Sequence, residues 1–114
     1  MNQVYSMHKR KNFLSSLSVN TILILLNIVF FIIFTILLAS DAKFIDSIAI
    51  KPSNILAGDY LWTFLTSMFM HGGFFHIFAN MLSLMFIGSL IERILGHKRY
   101  LAFYLISGVF AALF

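Results

Sequence analysis

The sequence contains no cysteine, a single proline and few charged residues. Only 11% of its 114 residues are charged and 61% are hydrophobic, whereas a soluble domain is typically about a quarter charged and about half apolar. The absence of cysteine excludes disulfides, thiolate nucleophiles and thiolate ligands for a metal. The scarcity of charge excludes an ordinary soluble domain and indicates an integral membrane protein.

Most of the basic residues lie at the ends of apolar runs, at positions 9–11 and 93–99. This distribution is typical of topology determinants in membrane proteins, whose cytoplasmic flanks are enriched in Lys and Arg. A nucleic-acid-binding chain would place such residues along one face, so the net charge of +4 does not predict a nucleic acid partner. We expect a protein of the cell membrane with a cytoplasmic N-terminus and with residues 41–60 outside.

Two long uncharged segments predict membrane-spanning helices. Residues 19–40 provide 22 positions without charge, and a span needs about 20. A signal peptide is the alternative interpretation, although its apolar core is usually about 7–15 residues long. The second uncharged run, residues 60–91, is too long for one span and is divided by the pair Gly72-Gly73. It predicts an outer loop over residues 41–73 and a second span over residues 74–91.

A third apolar segment begins near residue 100 and reaches Phe114. As a helix it covers about 22 Å, short of the roughly 30 Å of the hydrocarbon core. We therefore expect the chain to be the N-terminal part of a longer protein, with a cytoplasmic basic arm over residues 1–18. The predicted fold class is an all-α membrane protein, a polytopic helical bundle of which this chain supplies two full transmembrane helices and the start of a third.

Candidate functional residues interrupt the second uncharged run. His71, His76 and Asn80 are polar groups at membrane depth, where such side chains are costly and commonly functional. His76 and Asn80 are four residues apart and share one helix face, so an imidazole N–H and an amide N–H can converge on a developing oxyanion. The alternative is that both pack as hydrogen-bonding groups between helices. His71 and His76 lie about 140° apart around a helix with no third ligand nearby, so we expect neither a metal nor a cofactor.

Three further residues have simple structural interpretations. His71 precedes the two glycines and is expected to hydrogen-bond loop backbone and hold the segment before it. Gly88 lies eight residues after Asn80, where a neighbouring helix can approach closely. Glu92 is either a boundary residue at the inner end of the second span or a hydrogen-bonding group that ties helix ends together.

The order and spacing of a larger set of residues are specific to one family. The set comprises Trp62, Met68-Phe69-Met70-His71-Gly72-Gly73, His76, Asn80-Met81-Leu82, Gly88, Glu92, Gly96 and Tyr104-Leu105-Ile106-Ser107-Gly108. With this set, residues 60–114 resemble the rhomboid intramembrane serine proteases. The resemblance implies a larger helical bundle in which a Ser–His dyad cleaves transmembrane protein substrates and His76 and Asn80 help to bind the oxyanion. It also implies structural roles near the site for His71, Trp62, Gly88 and Glu92.

Two features depart from the family pattern. Thr63 follows Trp62 where the family usually has arginine, which bears on how the outer loop is anchored. The resemblance also implies a Gly-x-Ser-Gly nucleophile motif and a base histidine on later helices, and neither lies within the 114 residues. Attack on a carbonyl needs an activated nucleophile beside a base, so we expect this chain alone to be inactive. An inactive pseudoprotease or membrane chaperone and a small membrane-structural protein remain as alternatives.

Single cysteines introduced at Ser53 and Ser15 test the predicted orientation, since the chain has no native cysteine. The basic residues at 9–11 and 93–99 favour a cytoplasmic N-terminus. Only the cysteine at Ser53 should therefore react with a membrane-impermeant maleimide in intact cells. Reaction of the cysteine at Ser15 under the same conditions would show that the N-terminus is outside and that the predicted orientation is wrong.

Overall fold

The computed structural model describes residues 17–114, so the predicted basic arm lies outside the described residues except for its last two positions. A segment of short helices separates the first long helix from the long helices that follow it, and residues 17–114 contain no strand. In chain order the α-helices are α1 (Val19–Ser40), α2 (Ile45–Ile48), α3 (Pro52–Ala57), α4 (Thr63–Thr66), α5 (Phe74–Ser83), α6 (Ser89–Leu95) and α7 (His97–Leu113), with 3-10 turns at Ala42–Phe44 and Ser67–Phe69 and a π-turn at Leu84–Gly88.

Helix α1 covers the residues predicted for the first span. Its N-terminus is set by Ser18, whose hydroxyl accepts a hydrogen bond from the Thr21 backbone N–H at 3.1 Å. Serine at this position satisfies one of the N–H groups that a helix leaves without an internal partner. The helix ends at Asp41, whose backbone is extended.

The second long helix runs through α5, the π-turn and α6 as Phe74–Leu95 and is longer than the predicted span over residues 74–91. The prediction ended the span at Glu92-Arg93 and placed Gly96 as the helix-terminating residue. The Glu92 side chain is only 5% exposed and faces the bundle. The helix ends at Gly96, which has φ +83°, a conformation that glycine adopts without strain. Helix α7 starts directly at His97, earlier than predicted, because Gly96 alone reverses the direction of the chain.

Glu92 caps the N-terminus of α1 from the neighbouring helix. Its carboxylate oxygens accept hydrogen bonds from the backbone N–H groups of Val19 (2.7 Å) and Asn20 (3.0 Å). His97 Nδ1 lies 2.6 Å from the same carboxylate. A carboxylate at this position satisfies unpaired N–H groups and complements the positive end of the helix dipole. The tie between helix ends, one of the two interpretations of Glu92, is thus the arrangement observed.

Buried polar contacts join the long helices. Asn20 donates from Nδ2 to the Leu84 carbonyl at 2.7 Å, and its Oδ1 accepts from the Tyr100 hydroxyl at 2.6 Å. Asn27, seven residues further along α1, donates to the Tyr104 hydroxyl at 3.1 Å. Both asparagines are 1% exposed. Helices α1, α6 and α7 are therefore held together by hydrogen bonds rather than by an apolar core alone.

The outward faces of the long helices are apolar and exposed. Large apolar side chains such as Ile36, Phe86 and Ile106 are more than half exposed. Apolar groups outside and paired polar groups inside are the arrangement expected in lipid. Two helices, Val19–Ser40 and Phe74–Leu95, are long and apolar enough to cross a membrane.

The segment between the long helices is anchored by side chain to backbone hydrogen bonds. Trp62 Nε1 donates to the Ser47 carbonyl at 3.0 Å, and the Thr66 hydroxyl donates to the Ile48 carbonyl at 2.7 Å. Thr63 occupies the position where the resemblance implies arginine. It is 1% exposed, and its hydroxyl donates to a backbone carbonyl in its own turn at 2.7 Å. The loop thus has its own anchors without the arginine.

Replacing Glu92 by alanine should destabilise the bundle strongly. The change leaves two N–H groups at the start of α1 without their acceptor, and we expect a loss of about 3 kcal/mol, since a lost hydrogen bond to a charged group costs about 1.5–3 kcal/mol. The measurement is the free energy of unfolding in mixed micelles. Arg93→Ala, at the exposed neighbouring position, is the matched control and should change it by about 0.5 kcal/mol or less. Equal losses in the two variants would contradict the capping role.

Candidate functional site

His71 lies in the short connection that leads into α5. Its Nδ1 is 3.1 Å from the Phe69 carbonyl oxygen. Because a carbonyl oxygen only accepts hydrogen bonds, Nδ1 carries the proton and the neutral ring has an acceptor at Nε2. The predicted contact between His71 and loop backbone is observed in this form.

The environment of His71 favours its neutral form. Burial lowers the pKa of the imidazole below its ordinary value, and the nearby His76 lowers it further, while the hydrogen bond to the Phe69 carbonyl acts in the opposite direction. The edge of the ring faces Phe31 of α1, with ring centroids 6.4 Å apart. His71 is therefore a half-buried imidazole whose surroundings favour the uncharged form.

His76 lies in the first turn of α5, next to His71. The two ring centroids are 5.2 Å apart, and the ring planes meet at 69°. The Gly72 backbone N–H donates to His76 Nδ1 at 3.4 Å, so Nδ1 is the acceptor and the neutral ring carries its proton on Nε2. His76 is exposed, and none of the described residues accepts a hydrogen bond from Nε2. A donor N–H is thus available on this side chain.

Asn80 follows His76 by one helical turn and is also exposed. It lines an open cavity of about 690 Å³ between α1, α5 and α7, together with His71, Ser83 and Ser107. His76 is not among the residues that line this cavity. The two predicted donors therefore share one helix face, and Asn80 alone also opens onto the cavity.

The other predicted site residues lie apart from this pair. Glu92 is twelve residues beyond Asn80 along the second long helix, about 18 Å away at 1.5 Å per residue. Gly88 lies between them, and a Cβ there would be 2.5 Å from Asn20 Oδ1, so a neighbouring helix does approach closely at this glycine. Trp62 packs edge-on against Tyr60 in the loop, with ring centroids 5.1 Å apart.

Sequence reasoning missed Asn20 and Asn27, which make the central contacts of α1. Both were treated as part of an uncharged apolar run, and neither was weighed separately. A signal was present, because the two amides are seven residues apart and therefore lie close to one face of a helix. An amide in an apolar run requires partners inside the protein, and that requirement identifies them.

The arrangement supplies hydrogen-bond donors but no complete catalytic pair. Within residues 17–114 no serine hydroxyl is hydrogen-bonded to a histidine, and no three side chains of metal-binding type are grouped together. What the described residues offer is an imidazole N–H and an amide on one face of α5. Such a pair can stabilise negative charge on an oxygen but cannot by itself attack a carbonyl.

Comparison with known proteins identifies the family. The Rhomboid domain matches residues 58–114, half of the chain. Similar proteins include the inactive RHOMBOID-like protein 8 of Arabidopsis thaliana, 41% identical over 54 residues (47% of this chain, 15% of the relative). They also include the rhomboid protease AarA of Providencia stuartii, 36% identical over 106 residues (89% of this chain, 37% of the relative).

The rhomboid protease GluP of Bacillus subtilis is 34% identical over 59 residues, 52% of this chain and 12% of the relative. The chain thus spans between about an eighth and two fifths of the length of these relatives. No solved structure matches it. The matched region includes His71, His76, Asn80, Gly88 and Glu92, and the chain belongs to the rhomboid family.

Proposed function

We propose that this chain forms the oxyanion-binding part of an intramembrane serine endopeptidase that cleaves transmembrane protein substrates. The observation that carries the proposal is the hydrogen bond from the Gly72 N–H to His76 Nδ1, from which the proton position on the neutral ring is inferred. The Gly72 N–H occupies Nδ1 and leaves Nε2–H as a donor on the same helix face as the Asn80 amide. In the proposed arrangement the N-terminus is cytoplasmic and the donors lie in the outer half of the cell membrane.

The proposed chemistry depends on where negative charge develops. When a nucleophile attacks the carbonyl carbon of a peptide bond, the C=O electron pair moves onto oxygen, and that oxygen becomes an anion. The His76 Nε2–H and the Asn80 amide donate hydrogen bonds to it. Such donors are most effective where water is excluded, because the interaction is then poorly screened. His71, neutral and bound to the Phe69 carbonyl, would hold the turn before α5.

The nucleophile and its base belong to other parts of the proposed enzyme. Residues 17–114 provide donors without a Ser–His pair, and the chain contains no Gly-x-Ser-Gly sequence. We propose that further helices of the same protein pack against these three and supply both groups, so that the 114 residues alone do not cleave.

An inactive rhomboid protein is the second candidate function. It is supported by the identity of 41% over 54 residues to a relative named as inactive. In that case the same helices would bind transmembrane segments without cleaving them. Covalent labelling of a serine in the full-length protein by an active-site-directed fluorophosphonate, which reacts only with a serine activated by a base, would favour the protease. Complete absence of labelling would favour the inactive form.

Alanine substitutions at His76 and Asn80 test the oxyanion role in the full-length protein. Each should lower kcat with little change in KM, because the donors act mainly once charge has developed on the carbonyl oxygen. The loss of one such donor costs about 10²–10³ in rate in other acyl-transfer enzymes. The measurement is kcat per folded molecule for a transmembrane substrate in liposomes.

His71→Ala is the matched control, since it removes an adjacent imidazole that contacts loop backbone instead of the proposed oxyanion. It should lower the folded fraction more than kcat per folded molecule. If kcat per folded molecule is unchanged in both His76→Ala and Asn80→Ala, the two residues act in packing and the oxyanion role is wrong.

A further inference from the structure

The π-turn at Leu84–Gly88 changes which residues of the second long helix share a face. In a regular α-helix the eight steps from Asn80 to Gly88 amount to about 800°, which leaves the two residues about 80° apart. A π-turn accommodates about one extra residue, so the same stretch turns through about 700° and brings them within about 20° of each other. Both residues line the same cavity in the structure, in agreement with this rotation.

A side chain from another helix enters the backbone ladder at this turn. The Leu84 carbonyl accepts the Ser89 backbone N–H five residues ahead, the bond that defines the π-turn, and also accepts Asn20 Nδ2 at 2.7 Å. Insertion of a side chain into the helical ladder is a known cause of such irregularities. Gly88 makes the approach possible, because a Cβ there would be 2.5 Å from Asn20 Oδ1 and 2.6 Å from the Tyr100 hydroxyl.

We propose that Asn20 is a positioning residue, whose amide holds the π-turn and thereby fixes the face on which α5 presents Asn80. The proposal rests on the proposed oxyanion function for its catalytic consequence but not for its geometry. Asn20 itself is held in place by α6 and α7, since its backbone N–H donates to Glu92 and its Oδ1 accepts from Tyr100. Helix α6, the part of the second long helix after the π-turn, thus forms one fixed unit with α1.

Helix α5, the part of the second long helix before the π-turn, has room to rotate relative to this unit. It enters from the Gly72-Gly73 connection, where a Cβ at either glycine would meet nothing within 4 Å. Without the Asn20 amide, regular α-helical bonding would turn α5 by about one residue, or about 100°. Asn80 and Ser83 would then leave the cavity, although every residue of the proposed oxyanion site is still present.

Asn20→Leu tests the proposal, because it keeps the number and branching of the side-chain heavy atoms and removes the side-chain hydrogen bonds. A single cysteine at Ser83, in a chain with no native cysteine, reports whether this face still opens onto the cavity. In the full-length protein in liposomes we expect labelling of this cysteine by a charged methanethiosulfonate to be lost. With Ser83 intact, kcat should fall about 10²–10³-fold, the cost of losing one oxyanion donor, with KM nearly unchanged.

Deletion of Phe86 provides the rescue. The side chain of Phe86 is 68% exposed, so its removal takes little from the interior. A helix with one residue fewer needs no π-turn and keeps Asn80 on the same face as Gly88. We therefore expect the deletion to restore both labelling and kcat in the Asn20→Leu background and to leave both near wild type when Asn20 is intact.

Ser89→Ala is the matched control. It removes the other acceptor of Asn20 Nδ2, at 3.0 Å, and leaves the bond to the Leu84 carbonyl, so labelling and kcat should be unchanged. Unchanged labelling at Ser83 in folded Asn20→Leu, or loss of labelling in the folded Phe86 deletion alone, overturns the positioning role. Lost labelling with unchanged kcat keeps the positioning role and instead refutes the oxyanion function.

Discussion

Hydrogen bonds accepted by the Glu92 carboxylate and made by the Asn20 amide join the three long helices near the start of α1. Two backbone N–H groups of α1 donate hydrogen bonds to the Glu92 carboxylate. The Asn20 amide donates to the Leu84 carbonyl and accepts from the Tyr100 hydroxyl. Lipid offers no replacement partner for these groups. Each bond is therefore costly to break, and no buried side-chain nitrogen or oxygen among residues 17–114 is left without a partner.

The same helix carries this anchored end and the proposed oxyanion donors at its other end. Glu92 fixes α6 against α1, whereas His76 and Asn80 lie on the exposed part of α5. The π-turn stands between the two parts and decides their relative rotation. A site of two donors needs this precision, because a hydrogen bond weakens steeply when its angle is poor. Stability at one end and donor geometry at the other are thus linked through a single irregular turn.

Hydropathy and spacing predicted the main helices, the residues of the candidate site and the close helix approach at Gly88. They did not predict the contacts that Asn20 and Asn27 make between helices. Helix α1 follows directly from an uncharged run of the right length. The end of the second helix at Leu95 was not predictable from charge, because Glu92 is buried by a partner that only the fold brings near. Likewise, nothing local predicts a π-turn at Leu84–Gly88, since its cause is Asn20, 64 residues away in the chain.

The two neighbouring histidines show most clearly why residue type alone does not define a site. His71 and His76 are chemically identical, yet the Phe69 carbonyl places the proton of one ring on Nδ1 and the Gly72 N–H places that of the other on Nε2. In the neutral state the free Nε2 of His71 can only accept a hydrogen bond, and that of His76 can only donate one. Only the second can stabilise a negatively charged oxygen. The division between a residue that holds the loop and a residue proposed to face the oxyanion is therefore made by two backbone groups, the Phe69 carbonyl and the Gly72 N–H.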